Sequence, residues 1–257
     1  MKRTEVGSLV RVPGVGMCAR VGVVLVSVVA FIVGDSDATN GRRCALKSVA
    51  VEGVKFDCKQ ESWLRIISGS LRGRALGKVP EGVRPTTDRV RESLFSALGD
   101  IEGERVLDLF AGTGALGLEA YSRGAGSVVF VERSKRTARA LKKRFEQLGL
   151  ETGRELRLLE TDARRAIKRL SGRGKELDAE VEQFDLVFLD PPYEEGAAES
   201  EREPTLEALF ASGLLSETAT VVVEGPTRHP LRPLPGIRIV TERRYGDTTL
   251  SWVEATA

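Results

Sequence analysis

Residues 105–133, RVLDLFAGTGALGLEAYSRGAGSVVFVER, decide the fold of this chain. The apolar run RVLDLF leads into a glycine-rich turn, a helical stretch follows and ends at Gly124, and a second apolar run, SVVFVE, comes next. Strand, helix and strand in this order form a βαβ unit with parallel strands. The same alternation continues as far as TVVVEG, which ends at Gly225. We therefore predict an α/β fold in which helices cover both faces of a parallel sheet.

Hairpins are predicted on both sides of this alternating region. The segment RIISGSLRGRAL is rich in β-forming residues and is punctuated by glycine. Near the end of the chain, IRIVTERRYG and TTLSWVE are expected to form a second hairpin that turns at Gly246-Asp247. Between the first hairpin and the first strand, TTDRVRESLFSAL predicts a helix with Thr87 or Asp88 as its N-cap.

Residues 1–63 differ in character from the rest of the chain. Residues 21–34 form an apolar run after several basic residues, as in a signal peptide, but no small-residue cleavage site follows, and the run is shorter than the roughly 20 residues of a membrane span. We expect residues 1–63 to be a poorly ordered extension that does not enter a membrane. The alternative is a translation start near Leu64, which would leave this segment outside the native protein. The folded domain is expected over residues 64–257, with its hairpin over residues 64–84.

Charge is unevenly distributed along the chain, although the net charge is only +2. Residues 65–91 contain seven Lys or Arg and two acids, and residues 133–144 contain seven Lys or Arg and no acid. Basic faces of this kind can bind a polyanion through its phosphates. For the second segment, a solvated helix face is an equally good interpretation.

The few cysteines and histidines exclude several kinds of site. All three cysteines lie within the first 58 residues at spacings that fit no metal site, and the single histidine, His229, sits among prolines. We therefore expect no metal and no nucleophile activated by histidine. The cysteine-free remainder is consistent with a reducing cytoplasm.

The ends of the first three predicted strands carry residues suited to a nucleotide-like ligand. GTGALG, which begins at Gly112, fits the G-x-G-x-x-G pattern between a strand and a helix, a pattern that also occurs in NAD-binding proteins and that can be a turn without a ligand. Glu132 ends the second strand, where an acid can accept hydrogen bonds from a ribose diol. Asp162 follows the third strand and suits an adenine amino group, or it simply caps the next helix.

The fourth strand ends in Asp190-Pro191-Pro192-Tyr193. Two prolines fix an extended turn and remove two amide donors, so that carbonyl oxygens lie unpaired beside a carboxylate. These acceptors suit an exocyclic –NH₂ group, and the tyrosine ring suits the face of a planar base.

Taken together, these segments resemble a known family. DLFAGTGALG, FVER, ETDA and DPPY are similar to the motifs of class I S-adenosylmethionine-dependent methyltransferases that modify exocyclic nitrogens. More closely, RIISGSLRGRAL, RPTTDRVRESLF, FDLVFLDPPY and RRYGDTTLSW resemble the RsmD family of bacterial 16S ribosomal RNA guanine-N2 methyltransferases, from about Leu64 to Val253. Members of that family begin at the residue that matches Leu64, so residues 1–63 depart from its pattern.

The resemblance implies a Rossmann-like, mostly parallel seven-stranded sheet, S-adenosylmethionine as the cofactor, and a monomer that methylates 16S rRNA in the small subunit or an assembly intermediate in the cytoplasm. The residues that it implies for cofactor binding are Asp108, Phe110, Gly112, Gly114, Glu132, Asp162 and Ala163. For catalysis it implies Asp190, Pro191, Pro192 and Tyr193, with Asp190 and the Pro191 carbonyl holding the guanine 2-amino group. The basic segment suggests RNA contacts through Arg72, Arg74, Arg84 and Arg89.

Three other functions fit part of the pattern. A dehydrogenase would explain the glycine motif and Glu132, but it leaves DPPY without a role. Methylation of adenine N6 in DNA or of a protein glutamine uses a similar tetrapeptide, although the chain lacks a target-recognition domain. A non-catalytic RNA-binding module would not need the acids at the strand ends.

Overall fold

The computed structural model describes residues 50–51, 54–55, 63–78, 88–172, 182–192 and 201–256. The chain divides into two units, Met1–Cys58 and Lys59–Ala257. In the first unit, the described residues form two short antiparallel strands, β1 (Ala50–Val51) and β2 (Val54–Lys55). The apolar run at residues 21–34 lies outside the described residues.

The described part of the second unit contains nine strands and five helices. The strands are β3 (Trp63–Arg65), β4 (Ala75–Lys78), β5 (Arg105–Asp108), β6 (Ser127–Val131), β7 (Leu156–Leu159), β8 (Phe184–Leu189), β9 (Leu215–Pro226), β10 (Ile237–Tyr245) and β11 (Thr248–Ala255). The helices are α1 (Asp88–Leu98), α2 (Ala115–Ser122), α3 (Lys135–Leu148), α4 (Ala163–Leu170) and α5 (Arg202–Phe210).

Seven of these strands form one sheet in the order β10-β11-β9-β8-β5-β6-β7. Strands β5 to β9 pair in parallel, and β11 runs antiparallel to both of its neighbours. The predicted α/β fold with a mostly parallel seven-stranded sheet is therefore confirmed. The order reverses at β5, whose neighbours are β6 and β8, and open α/β sheets bind ligands at such a point.

The central strands of the sheet are buried on both faces, whereas the edge strand β10 is mostly exposed. Consecutive residues of a strand point to opposite faces. In β5, Val106 and Leu107 are each fully buried, and they belong to two different clusters of apolar side chains. The first cluster contains residues of α1, α2, α3 and the β3–β4 hairpin, and the second contains residues of α4 and α5. The continuous apolar strands of the sequence follow from this two-sided burial.

Local capping signals set the ends of α3. The hydroxyl of Ser134 accepts a hydrogen bond from the Thr137 amide at 3.3 Å, and Gly149 ends the helix with φ +72°. A left-handed residue at this position is favourable for glycine because it has no Cβ. In the sequence, Ser134 directly before the helical run and Gly149 directly after it are typical cap and stop signals. Of the two residues predicted as the N-cap of α1, Thr87 lies outside the described residues, and Asp88 is the first residue of the helix.

The predicted N-terminal hairpin is present as β3 and β4, with Leu64 opposite Gly77, and its loop docks on α2. The amides of Ile67 and Ser68 donate to the two carboxylate oxygens of the fully buried Glu119, at 2.7 and 3.0 Å. A Cβ at Gly69, which has φ +83°, would lie 1.7 Å from a carbonyl oxygen of α2, so only glycine fits. The hairpin is therefore part of the domain core.

None of the helices in the described ranges is long and apolar enough to cross a bilayer.

Candidate active site

A cavity of about 680 Å³ opens at the carboxyl ends of the parallel strands. A volume of this size fits a cofactor-sized ligand. Residues that follow β5, β6, β7, β8 and β9 all line it. The lining includes Asp108, Phe110, Gly112, Glu132, Asp162, Ala163, Asp190, Pro191 and Pro192 from the sequence-based set, together with Thr113, Thr137, Thr161, Glu224, Pro226, Arg228 and Asp247.

The glycine-rich turn brings the backbone close to this cavity. Gly112 has φ +51° and lines the cavity, whereas Gly114 has φ +77°, caps α2 and is not among the lining residues. A Cβ at Gly117 would lie 2.3 Å from the ring of Phe130, so the third glycine lets α2 pack directly on β6. One glycine of the motif therefore lines the cavity, and another allows the helix to pack closely on the sheet.

Asp108 lies at the end of β5 beneath the turn and is 2% exposed. Its Oδ2 accepts a hydrogen bond from the Gly117 amide at 3.1 Å. Burial above all, together with the nearby charge of Glu132, raises the pKa of Asp108 to about 7, although hydrogen bonds from the amides of Gly117 and Phe110 oppose the rise. The carboxyl group is thus poised to change protonation when a cation binds beside it.

Glu132 follows β6 and is tied to the glycine turn. One of its carboxylate oxygens accepts from the Gly112 amide at 3.0 Å, and the other accepts from the Ser134 amide at 2.6 Å. These bonds leave each oxygen with a second lone pair for a ligand hydroxyl. Glu132 therefore has the orientation and the spare acceptor capacity that a ribose diol requires.

Asp162 caps a helix and also lies at the cavity. Its side chain caps α4 by accepting from the amides of Arg164 and Arg165, at 3.0 and 3.4 Å. It also lines the cavity, together with the buried Ala163 at the start of the helix. Its role as a cap therefore does not exclude a contact with a ligand in the cavity.

Asp190, Pro191 and Pro192 line the same cavity after β8, the neighbour of β5 on its other side. Pro191 is buried and Pro192 is exposed, so this turn runs from the interior to the rim. Tyr193 lies outside the described residues. The acceptor-rich turn and the glycine turn thus belong to one cavity, as the sequence predicted from their positions at strand ends.

Sequence reasoning missed one wall of the cavity. Glu224 and Pro226 at the end of β9, Arg228 in the next loop and Asp247 in the β10–β11 turn all line it. The Thr227 amide donates to the Asp247 carbonyl at 2.9 Å, which joins these two segments. Glu224 could have been found, because TVVVEG places an acid directly after an apolar strand, as in the other strands. Asp247 lies in a turn and follows no apolar strand, so the sequence did not mark it as a cavity residue.

The arginines expected to bind RNA lie in different surroundings. Arg72 and Arg89 are exposed, and Arg74 is exposed and donates to the Gln147 carbonyl at 3.2 Å. Arg84 lies outside the described residues.

Arg91, from the same basic segment, is fully buried. It donates to the Arg65 carbonyl at 2.6 Å and to Asp88 at 2.8 Å, so it supports the hairpin.

A second buried arginine connects the hairpin with the glycine turn. Arg144 on α3 donates its Nε to the Leu76 carbonyl of β4 and its Nη1 to the Thr113 carbonyl at 2.9 Å. Burial lowers the pKa of its guanidinium. The sequence suggested a solvated or RNA-binding face for residues 133–144, whereas this last member of the segment is structural.

Among the described residues, no group of three or more histidine, cysteine or acidic side chains could hold a metal ion.

Comparison with known proteins identifies related chains. A family model described as conserved hypothetical protein 95 matches residues 64–254. A putative rRNA methyltransferase of Bacillus subtilis is 35% identical over 188 residues, which are 72% of this chain and 95% of the relative. The ribosomal RNA small subunit methyltransferase D of Escherichia coli K12 is 36% identical over 175 residues, 67% of this chain and 79% of the relative. A solved structure of a putative methyltransferase from Escherichia coli has a TM-score of 0.61 at 30% identity and covers 76% of this chain and 99% of its own.

Proposed function

The chain belongs to the family described as conserved hypothetical protein 95, the RsmD family, and we propose that it methylates the exocyclic N2 of a guanine in 16S ribosomal RNA. It is an S-adenosylmethionine-dependent rRNA methyltransferase. The proposal adds to this activity that the base is guanine, that the atom is N2 and that the RNA is that of the small subunit. The observation that carries it is the turn Asp190-Pro191-Pro192, whose acceptors line the same cavity as the glycine turn.

Residues at the ends of successive strands would each contact a different part of S-adenosylmethionine. Glu132 would accept from the ribose hydroxyls, and Asp162 would lie beside the adenine amino group. Asp108 would face the cationic methionine part, which favours its ionised form. Gly112 would allow close approach of the ligand to the backbone. The cofactor supplies a methyl group made electrophilic by the positive sulfur.

On the acceptor side, Asp190 would orient the amine of the base. An aryl amine is a weak nucleophile because its lone pair is delocalised into the ring. Hydrogen bonds from the amine to Asp190 and to the Pro191 carbonyl favour the geometry in which the lone pair meets the methyl carbon. Orientation of reacting groups can lower a barrier by several kcal/mol, up to about 7–11 in the best intramolecular cases.

The transfer forms one N–C bond and breaks one C–S bond. The nitrogen then carries an excess proton, which passes to the Asp190 carboxylate or directly to water. Neither a covalent enzyme intermediate nor a metal is required by this scheme. For the base to reach Asp190, it must leave its stack in the RNA.

The RNA is proposed to contact the exposed face of the hairpin and α1, through Arg72, Arg74 and Arg89, with Arg84 between them in the chain. Their positive charge suits the phosphates of a folded RNA. We further propose that Tyr193 stacks on the target base. A monomer acting in the cytoplasm, on the small subunit or an assembly intermediate, completes the proposal.

Methyl transfer from labelled S-adenosylmethionine to small-subunit particles that lack guanine-N2 methylation tests this function. We expect N2-methylguanine with the wild type and at least a 100-fold slower reaction with Asp190→Ala, while cofactor binding is retained. Glu207→Ala is the matched control, because Glu207 is an exposed acid on α5. Label in DNA, in protein or at another atom of the RNA would contradict the proposal, as would an active Asp190→Ala variant.

A further inference from the structure

We propose that Glu224 accepts a hydrogen bond from N1–H of the target base and thereby makes the enzyme selective for guanine. This inference rests on the proposed function, since it concerns the same cavity and the same base. It adds a specificity-determining residue that belongs to β9 and not to the Asp-Pro-Pro turn itself.

Strand register places Glu224 beside Asp190. Strands β8 and β9 pair in parallel, with Leu189 opposite Val223. Asp190 directly follows β8, and Glu224 is the next residue within β9, so a continued register would place the two opposite each other on strands about 4.8 Å apart. With that register, the alternation of side chains along a strand would direct both carboxylates to the same face of the sheet.

Neighbouring strands hold Glu224 at the cavity wall. Glu224 is 8% exposed, and it lines the cavity together with Asp190. On its other side, Glu224 is opposite Leu250 of β11, so a strand supports it on each flank. A side chain on the sheet is held more rigidly than one on a loop, as recognition of a planar base requires.

The two carboxylates match the hydrogen-bond pattern of guanine. On its Watson–Crick edge, guanine presents N2–H and N1–H as adjacent donors, whereas N1 of adenine is an acceptor. An ionised carboxylate only accepts hydrogen bonds. With Asp190 bound to the amine, Glu224 would accept a hydrogen bond from N1–H of guanine. With a base whose N1 carries no hydrogen, the Glu224 carboxylate would face N1, and both groups are acceptors. A buried polar group without a partner is costly, which makes such a site strongly selective.

The decisive substrate is an RNA in which the target guanine, located by the labelling experiment, is replaced by 2-aminopurine. This base keeps the 2-amino group that receives the methyl but has an acceptor at N1. We expect the wild type to show kcat/KM at least 100-fold lower for 2-aminopurine than for guanine. In Glu224→Gln the amide can donate to N1 of 2-aminopurine or accept from N1–H of guanine, so the ratio should fall at least tenfold.

Glu217→Gln is the matched control, because Glu217 lies on the same strand and is exposed. It should leave the ratio of the two kcat/KM values within twofold of the wild type. The inference is overturned if Glu224→Gln also leaves that ratio unchanged. It is overturned as well, whatever the variant does, if the wild type methylates 2-aminopurine within threefold of guanine. A wild type that methylates no guanine would instead contradict the proposed function itself.

Discussion

Asp108 is a buried acid whose environment opposes its charge. Burial raises its pKa from 3.8 to about 7, so between these values the folded chain binds a proton that the unfolded chain has lost. The contribution to the free energy of unfolding is therefore fully present below about pH 4 and is lost as the pH rises through about 7. In the proposed function, the ionised form of Asp108 would attract the cationic cofactor, and this attraction would offset the cost of burying the charge.

Asp108→Asn removes this titration. We expect the wild type to lose up to about 4 kcal/mol of unfolding free energy between pH 4 and pH 8 relative to the variant, since each pKa unit corresponds to about 1.36 kcal/mol. Urea unfolding of both proteins without cofactor, at several pH values, measures the difference. Parallel pH profiles of the two proteins would refute the assignment.

At the scale of elements, Arg144 connects three parts of the domain. From α3 it donates to carbonyls of β4 and of the glycine turn, at Leu76 and Thr113. Arg144→Met fills a similar volume but removes these donors, which leaves buried carbonyls without partners. We expect a loss of about 1–3 kcal/mol in unfolding free energy and weaker cofactor binding, because the glycine turn loses its support.

Urea unfolding and calorimetric titration with S-adenosylmethionine measure these two effects of Arg144→Met. Arg136→Met, an exposed position on the same helix, should change neither quantity appreciably. If Arg144→Met bound the cofactor as tightly as the wild type, the connection to the glycine turn would carry no functional weight.

At the scale of the whole molecule, both clusters of buried apolar side chains found among the described residues begin at or after Leu64. The division of the chain falls at the same region, between Cys58 and Lys59. We therefore expect a chain that starts at Lys59 to fold and to methylate RNA like the full chain. A thermal unfolding midpoint within about 3 °C, which for a domain of this size corresponds to roughly 1 kcal/mol, would bear this out. A drop of more than 10 °C would give the first unit a structural role.

Local signals account for what sequence reasoning predicted well. Ser134 and Gly149 bound α3 because a cap is decided by a few neighbouring residues. The acids at the ends of β5, β6, β7 and β8, within the strand or just after it, line one cavity because parallel strands all end at the same edge of the sheet. Neither inference needed knowledge of distant contacts.

Periodicity and strand direction are properties of short segments, so the α/β fold, the ligand-binding edge of the sheet, and the acids and glycines along that edge are predictable from the sequence. The buried, supporting positions of Arg91 and Arg144 are seen only in the folded structure. It also decided that Glu224 and Asp247 complete the cavity wall. The physical reason is distance along the chain: Arg144 and Leu76 are 68 residues apart. Burial and charge compensation depend on which distant segments meet, and no short segment encodes that meeting.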